Sequence, residues 1–459
     1  MRLAVLSLLA CLVATPAFAD PVDDVITAQM ARSHIPGAAV AVVERGKVVK
    51  LSGYGKANLE WDAPVDTDTT FQIASATKLF TGIVLMRLVE RGELSLDDSL
   101  SKYFPDGPAS WRGIRVGQLA NHTSGLTQGF GANAQYATFD EFLTATKPLP
   151  LVHEPGARSQ YGLSDSILLQ AVLEKVSGKP LPTLFADEIF KPLGLTRTGF
   201  NHAANRGTVR WAGVLPKRAS VYAWEDGQQH ISDNLYRPIT YAAGGLFSSA
   251  SDLARVFAAI DEGKLLNPES LRLIETPPVL TDGSRGGFGV GWTTRTYRGA
   301  PIVGHSGGPA LADVVRSEDR KLTIIVLTNQ HRFYPLLAES VADLYLPAGP
   351  RAKAIADKRT ALTATVKAIL TSAATGKVDP AVFTEAGAGE MVPFFVEMRG
   401  TLLTAVGPFK SADLIADSVK DGKVRRKYRV AFESRELFWN LTAEIGGKVV
   451  ELIPVGEAD

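Results

Sequence analysis

The run Leu79–Val89 places apolar residues on almost every face of a helix instead of one stripe. A helix of that kind must be enclosed on all sides, so the chain has to build its layers around it. Gly92 supplies a stop just beyond. The preceding stretch, Phe71–Phe80, reads FQIASATKLF, with Ser75 and Lys78 three apart. If Ser75 opens the helix, the two side chains share one face, a turn apart. The hydroxyl then lies near the positive end of the helix dipole. An amine forced into burial beside it is driven toward its neutral form, because desolvation lowers a lysine pKa. A neutral amine can take the serine proton and leave a nucleophile. The competing structural reading is a serine N-cap followed by a solvated lysine.

A length of 459 residues exceeds one ordinary core and predicts two domains. Hydrophobic residues make up 45% and charged residues 21%, a globular balance that argues against disorder. The 49 basic and 48 acidic residues leave a net charge of +1, which points to no nucleic-acid partner. Residues 1–19 read as an export signal: Arg2, the apolar Leu3–Val13, then Ala17-Phe18-Ala19 before Asp20. The apolar run is too short for a membrane span, and the expected location is periplasmic or extracellular. Leu8-Leu9-Ala10-Cys11 is similar to a lipoprotein box, but it falls early and the Ala-Phe-Ala site follows, so cleavage is preferred over a lipid anchor at Cys11. Cys11 is the only cysteine. Its loss with the signal removes disulfides, thiol nucleophiles and thiolate metal sites from consideration. The seven histidines include no i, i+4 pair, so no HExxH zinc site is expected. No cofactor or metal is called for.

Along the chain, Val22–Arg32 reads as a helix, and Ala38–Val43 with Lys47–Leu51 as a hairpin across Arg45-Gly46. Asp140–Thr146, an amphipathic Ser164–Ser177 and Leu184–Phe190 read as helices. Asn201–Tyr236 is long, polar and aromatic, with Trp211, Tyr222, Trp224 and Tyr236, and is expected to wall a binding site. A helix with apolar positions Leu253, Val256, Phe257 and Ile260 follows Gly244-Gly245. Phe288–Trp292, Pro301–Val303 and Leu322–Leu327 read as strands and Tyr334–Leu346 as a closing helix. Residues 347–350 read as a linker. Beyond it, Arg351–Thr375 is helical, Met391–Val406 is helix or strand, and Lys427–Phe432, Leu437–Ile445 and Val449–Pro454 alternate as antiparallel strands. The expected organisation is a main domain over 20–346 and a small α+β domain of unknown role over 351–459.

Several stretches together resemble the serine β-lactamase-related hydrolases, the branch of class C β-lactamases, D-Ala-D-Ala carboxypeptidases, D-aminopeptidases and esterases. They are Ile35–Val40, the Ser75-x-x-Lys78 motif, His122-Thr123-Ser124-Gly125-Leu126, Ala243–Leu246 with Ser249, Ser251, Asp252 and Leu253, and Gly304-His305-Ser306-Gly307-Gly308. The resemblance runs from about Ile35 to Asn329 and implies an α+β fold: an antiparallel sheet flanked by helices, plus a mostly helical lobe. It implies that Ser75 is acylated, that Lys78 helps deprotonate it, and that Tyr161 relays protons. It places substrate along His305, Gly307 and Gly308, with the amides of Ser75 and Gly308 as the oxyanion hole. Leu163 stands where the family has the asparagine of Tyr-x-Asn, a residue that holds the lysine and the substrate acylamide. Leucine can do neither, which turns expectation toward small esters or atypical peptides and away from β-lactams.

Two rival readings stay open at this level. Gly304–Gly308 also fits the G-x-S-x-G elbow, with Ser306 as nucleophile, Asp313 or Asp319 as acid and His331 as base. A non-catalytic binder or penicillin sensor would retain the fold without the chemistry. The expected partner in either case is a small molecule or short peptide.

Overall fold

A computed structural model describes residues 20–127, 136–201, 204–206, 209–232, 236–308, 311–331, 337–347, 349, 352–398 and 402–455. The expected export signal, Cys11 included, lies outside the described residues, as do Ala348 and Pro350 of the expected linker.

The strand Gly37–Glu44 is buried at every position but its last. It lies inside a seven-stranded sheet whose order is 293–297, 300–307, 312–317, 322–328, 37–44, 47–58 and 63–64. It pairs antiparallel with Leu322–Thr328, from Ala38 opposite Thr328 to Glu44 opposite Leu322. Both faces are covered, which explains the unbroken apolar run. Ala38, Val40 and Val42 join Val22 and Ile26 of the helix Pro21–Arg32 and Val341 of the helix Leu337–Ala342. Ala39, Ala41 and Val43 face the other way, into the core that encloses the helix Thr77–Glu90. Period-two alternation of side chains sends successive residues to these two layers.

The helix Thr77–Glu90 buries eleven of its fourteen residues, from Thr77 to Met86 without a break and then Leu88. The same core extends into the helical lobe through Trp111, Leu119, Phe142 and Leu168. The helix Leu163–Ser177 was expected to be amphipathic; instead Ser164–Leu173 is buried throughout. Its polar positions are satisfied inside the lobe, as at Asp165 and Gln170. Phe288–Trp292 is a turn, not a strand; the strand starts at Thr293. The closing helix spans Leu337–Ala342, and Tyr334 lies outside the described residues.

A separate core lies in the C-terminal part, where Val366, Ile369 and Phe395 meet Tyr428, Trp439 and Leu452. Its four antiparallel strands run in chain order, Phe409–Lys420, Lys423–Phe432, Glu436–Glu444 and Val449–Val455. Met391–Met398 belongs to a helix, which settles the helix-or-strand alternative there. This part meets the main sheet through Arg435, which donates to the Tyr297 hydroxyl at 2.7 Å and pairs with Glu339 at 3.3 Å. Gln29 and Arg32 both donate to the Ala405 carbonyl at 3.3 Å.

Candidate active site

Ser75 sits in a 3-10 turn, Ala74–Ala76, that leads into the helix starting at Thr77. The turn is strained. Ala74 holds φ at 45°, a left-handed value that side chains disfavour. Thr77 braces it: its hydroxyl donates to the Ala74 carbonyl at 2.6 Å and accepts from the Leu246 amide at 3.2 Å. Strain held by surrounding hydrogen bonds is how a chain presents one side chain out of line with its neighbours. Ser75 is accordingly half-buried between fully buried Ala74 and Ala76.

Lys78 is 5% exposed. Its Nζ donates to the Tyr161 hydroxyl at 2.8 Å and to the Ala243 carbonyl at 2.8 Å, and lies 4.8 Å from the centre of the Tyr161 ring. The turn containing Ala243-Gly244-Gly245 thus supplies an acceptor to the lysine from main chain, which needs no asparagine. Leu163 begins the helix Leu163–Ser177 and packs, half-buried, against the large core.

Tyr161 is positioned by the turn His122–Leu126. The Gln160 amide donates to the His122 carbonyl at 2.7 Å, and the Gly156 amide to the Thr123 carbonyl at 2.7 Å. The His122 ring meets Tyr161 edge-on at 4.8 Å. Its Nδ1 donates to Asp165 at 3.0 Å, and Ser124 donates to the other oxygen of the same carboxylate. Burial pulls the His122 imidazole below its usual value, against the Asp165 carboxylate, which pulls it up. Phe288 stacks on Tyr161 at 5.5 Å with planes 12° apart. These supports were not legible as site residues: His122 and Asp165 are 43 positions apart, and Phe288 read as strand.

The strand Ala300–Gly307 closes the other side. Its pairing with Thr293–Tyr297 ends at Gly304 opposite Thr293, short of His305. A side chain at Gly307 would meet the Ile73 carbonyl at 1.9 Å. That close approach brings the strand end and Gly308 against the Ser75 turn. His305 is buried, and its ring lies 5.9 Å from that of Tyr161. Its Nδ1 donates to the Ser306 carbonyl at 2.6 Å, so the lone pair is on Nε2. Burial first, then the nearby Lys78 cation, pulls its pKa down to about 3, so the ring is neutral.

Ser75, Lys78, Tyr161, His305 and Gly307 therefore come together. Of the aromatic segment expected to wall the site, Tyr222 instead accepts from the Leu59 amide and Trp224 stacks on His34. Tyr236 does reach the neighbourhood of the centre: it packs against Ala74 of the Ser75 turn, with Val221 and Leu311. Among the described residues no helix is long and apolar enough to cross a membrane.

A covered antiparallel sheet with a buried Ser-x-x-Lys turn beneath its glycine-rich strand defines a serine β-lactamase-type fold. The chain belongs to the Beta-lactamase family, whose profile matches residues 22–344. It is 28% identical over 293 residues to protein Rv1367c of Mycobacterium tuberculosis, spanning 55% of this chain and 71% of that one. Among solved structures it is similar to the octameric penicillin-binding protein homologue of Pyrococcus abyssi. There the TM-score is 0.61 and the identity 21%, over 95% of this chain and 98% of that one. It is also similar to the D-amino acid amidase of Ochrobactrum anthropi, with TM-score 0.57 and identity 22%, over 70% and 95%. The α+β expectation and the family resemblance both hold.

Proposed function

We propose that this chain is an exported serine hydrolase that forms an acyl-enzyme on Ser75 and cleaves small esters or amide and peptide bonds, with weak or no β-lactamase activity. The carrying observation is the 2.8 Å contact between Lys78 Nζ and the Tyr161 hydroxyl, one helical turn from Ser75. In this reading Ser75 Oγ attacks the substrate carbonyl and its proton passes to the Lys78–Tyr161 pair. The Ser75 and Gly308 amides hold the oxyanion, each such donor contributing about 3 kcal/mol. The tetrahedral intermediate expels the leaving group, which takes the proton. Water then attacks the acyl carbonyl, gives its proton to the same pair, and Ser75 Oγ departs and recovers a proton.

Leu163 favours the ester end of this range, because it offers no hydrogen bond to an acylamide. It is also the one feature that supports a non-catalytic binder as a second reading. The assembled Ser75, Lys78 and Tyr161 weigh against that reading.

The test is a panel of short-chain aryl esters, a chromogenic cephalosporin and D-amino-acid peptides, with labelling by a fluorophosphonate and a tagged penicillin. Lys78→Ala and Tyr161→Phe should each lower turnover by ~10²-fold or more. A purified protein that takes up neither label and turns over nothing in the panel is a binder.

A further inference from the structure

We infer that Phe288 selects the leaving group of this site and favours esters whose alcohol carries an aromatic ring. The inference rests on the serine-hydrolase reading and concerns a residue that none of the family-like stretches contains.

The Phe288 ring lies among the rings of the site. It stacks on Tyr161 at 5.5 Å with planes 12° apart, meets His122 edge-on at 4.9 Å and lies 6.4 Å from His305. It is half-buried, so part of its surface stays open to an entering molecule. Val290 and Trp292, two and four residues on, enter the large core instead.

The loop that carries the ring is fixed to the catalytic helix. The Trp292 indole donates to the carbonyl of Leu79, the residue after Lys78, at 3.1 Å. The Gly291 amide donates to the Ala120 carbonyl at 3.0 Å, just ahead of the His122 turn. A β-carbon on Gly291 would stand 2.8 Å from the Lys78 carbonyl oxygen, and one on Gly289 would stand 1.9 Å from the Ile274 carbonyl oxygen. The two glycines let the backbone close onto its neighbours on both sides. Phe288 is therefore held in one place beside the Lys78–Tyr161 pair, as a residue that selects must be.

The proton path says which end of the substrate meets the ring. Tyr161 hands its proton to the leaving group, so the leaving oxygen must come within about 2.6–3.2 Å of the Tyr161 hydroxyl. The group bonded to that oxygen then lies beside Tyr161, where Phe288 stands. An aromatic alcohol extends the Tyr161–Phe288 stack at the spacing such pairs prefer, and it covers the open part of the Phe288 ring. An alkyl alcohol offers no such face. Leu163 bears on the acyl side, so the two residues act on opposite ends of the substrate.

The experiment compares phenyl acetate with hexafluoroisopropyl acetate, whose alcohols are of similar acidity. Both esters form the same acetyl-enzyme, so their kcat/KM values differ only through the alcohol. In Phe288→Leu the phenyl-to-alkyl ratio of kcat/KM should fall about five- to tenfold, the scale of one aromatic pair. Phe288→Tyr restores an aromatic face and should keep the ratio within about twofold of the unchanged protein. A parallel fall for both esters in Phe288→Leu would show that the ring only supports Tyr161, and overturns the proposal. An equal fall of the ratio in Phe288→Tyr also overturns it. So does a Phe288→Leu protein in which the ratio of phenyl butyrate to phenyl acetate moves and the alcohol ratio does not, since the ring then reads the acyl chain. If Ser75→Ala hydrolyses these esters as well as the unchanged protein, the serine-hydrolase reading fails and takes the proposal with it. If Ser75 is required and the alcohol ratio stays put in Phe288→Leu, only the role of Phe288 fails.

Discussion

Ser306 Oγ donates to Asp313 Oδ1 at 2.9 Å, between residues directly opposite in neighbouring strands. The other carboxylate oxygen accepts from the Ala338 amide at 3.1 Å, so the pair lies under the helix Leu337–Ala342. His305, one residue earlier, faces Tyr161 from the opposite side of the strand. Ser306 is thus turned away from Tyr161, and the G-x-S-x-G pattern around it is part of a sheet, not a nucleophile elbow. Ser75→Ala is expected to abolish covalent labelling by a fluorophosphonate, while Ser306→Ala keeps it. Loss of label in Ser306→Ala alone would put the nucleophile on the wrong residue.

The Ala74–Thr77 brace predicts a coupled loss of stability and reactivity. Thr77 is fully buried and joins the strained Ala74 carbonyl to the Leu246 amide. Thr77→Val retains the shape and removes both bonds. It leaves a buried amide short of its acceptor, at a cost of about 1–3 kcal/mol. Urea unfolding should register that loss, and fluorophosphonate labelling should slow by about tenfold as Ser75 drifts from its attack geometry. Labelling at the normal rate would mean that the turn is held by its backbone alone.

His305 gives a pH dependence with a definite sign. Burial draws its folded pKa down to about 3 from the usual 6.5 of an imidazole. The unfolded chain therefore takes up a proton below 6.5 that the native ring refuses. Its contribution to stability is whole above pH 6.5 and is lost as pH falls toward 3. His305→Gln removes this contribution. The stability advantage of the native histidine should shrink by about 2 kcal/mol between about pH 7.5 and about pH 5, at roughly 1.4 kcal/mol per unit below 6.5. Unfolding curves of both proteins at the two pH values measure it. A constant difference would show that the folded ring takes up its proton at the same pH as the unfolded one.

The central helix and the strand Gly37–Glu44 were legible because burial on every side leaves a continuous apolar run. Ala312–Ser317 was not, because it carries Asp313 and Arg316 in a wholly buried strand. Arg316 is matched inside the protein by Glu275 and Asp261, each at 2.7 Å. No local pattern announces partners 41 and 55 residues away. Phe409–Lys420 was missed for another reason: its outer positions are exposed and its pairing slips at two places, which breaks the alternation. At the site, Ser75 and Lys78 could be read because they are local on one helix turn. Tyr236 could only be placed among four aromatics of an irregular segment, since its packing against Ala74 joins residues far apart in sequence.

Under the proposed function, Leu163 bears on substrate choice. It opens its helix two residues after Tyr161, the position to which the family resemblance assigns an amide side chain that meets a substrate acylamide. Lys78 has Tyr161 and the Ala243 carbonyl as acceptors, so leucine at this position does not leave the lysine stranded. The consequence falls on the substrate. An acylamide N–H or C=O placed against leucine lacks a partner, at a cost of about 1–3 kcal/mol, or one to two powers of ten in kcat/KM. Small aryl esters carry no such group. The protein should therefore hydrolyse short-chain esters with higher kcat/KM than cephalosporins or D-alanyl-D-alanine peptides. Leu163→Asn should move the ratio toward the amide-bearing substrates by about tenfold. Kinetics of both proteins on one ester and one cephalosporin decide it. Strong penicillin hydrolysis by the unchanged protein, with the ratio unmoved in Leu163→Asn, would show that Ser164 or Gln160 supplies the missing hydrogen bond and that this position does not select the substrate.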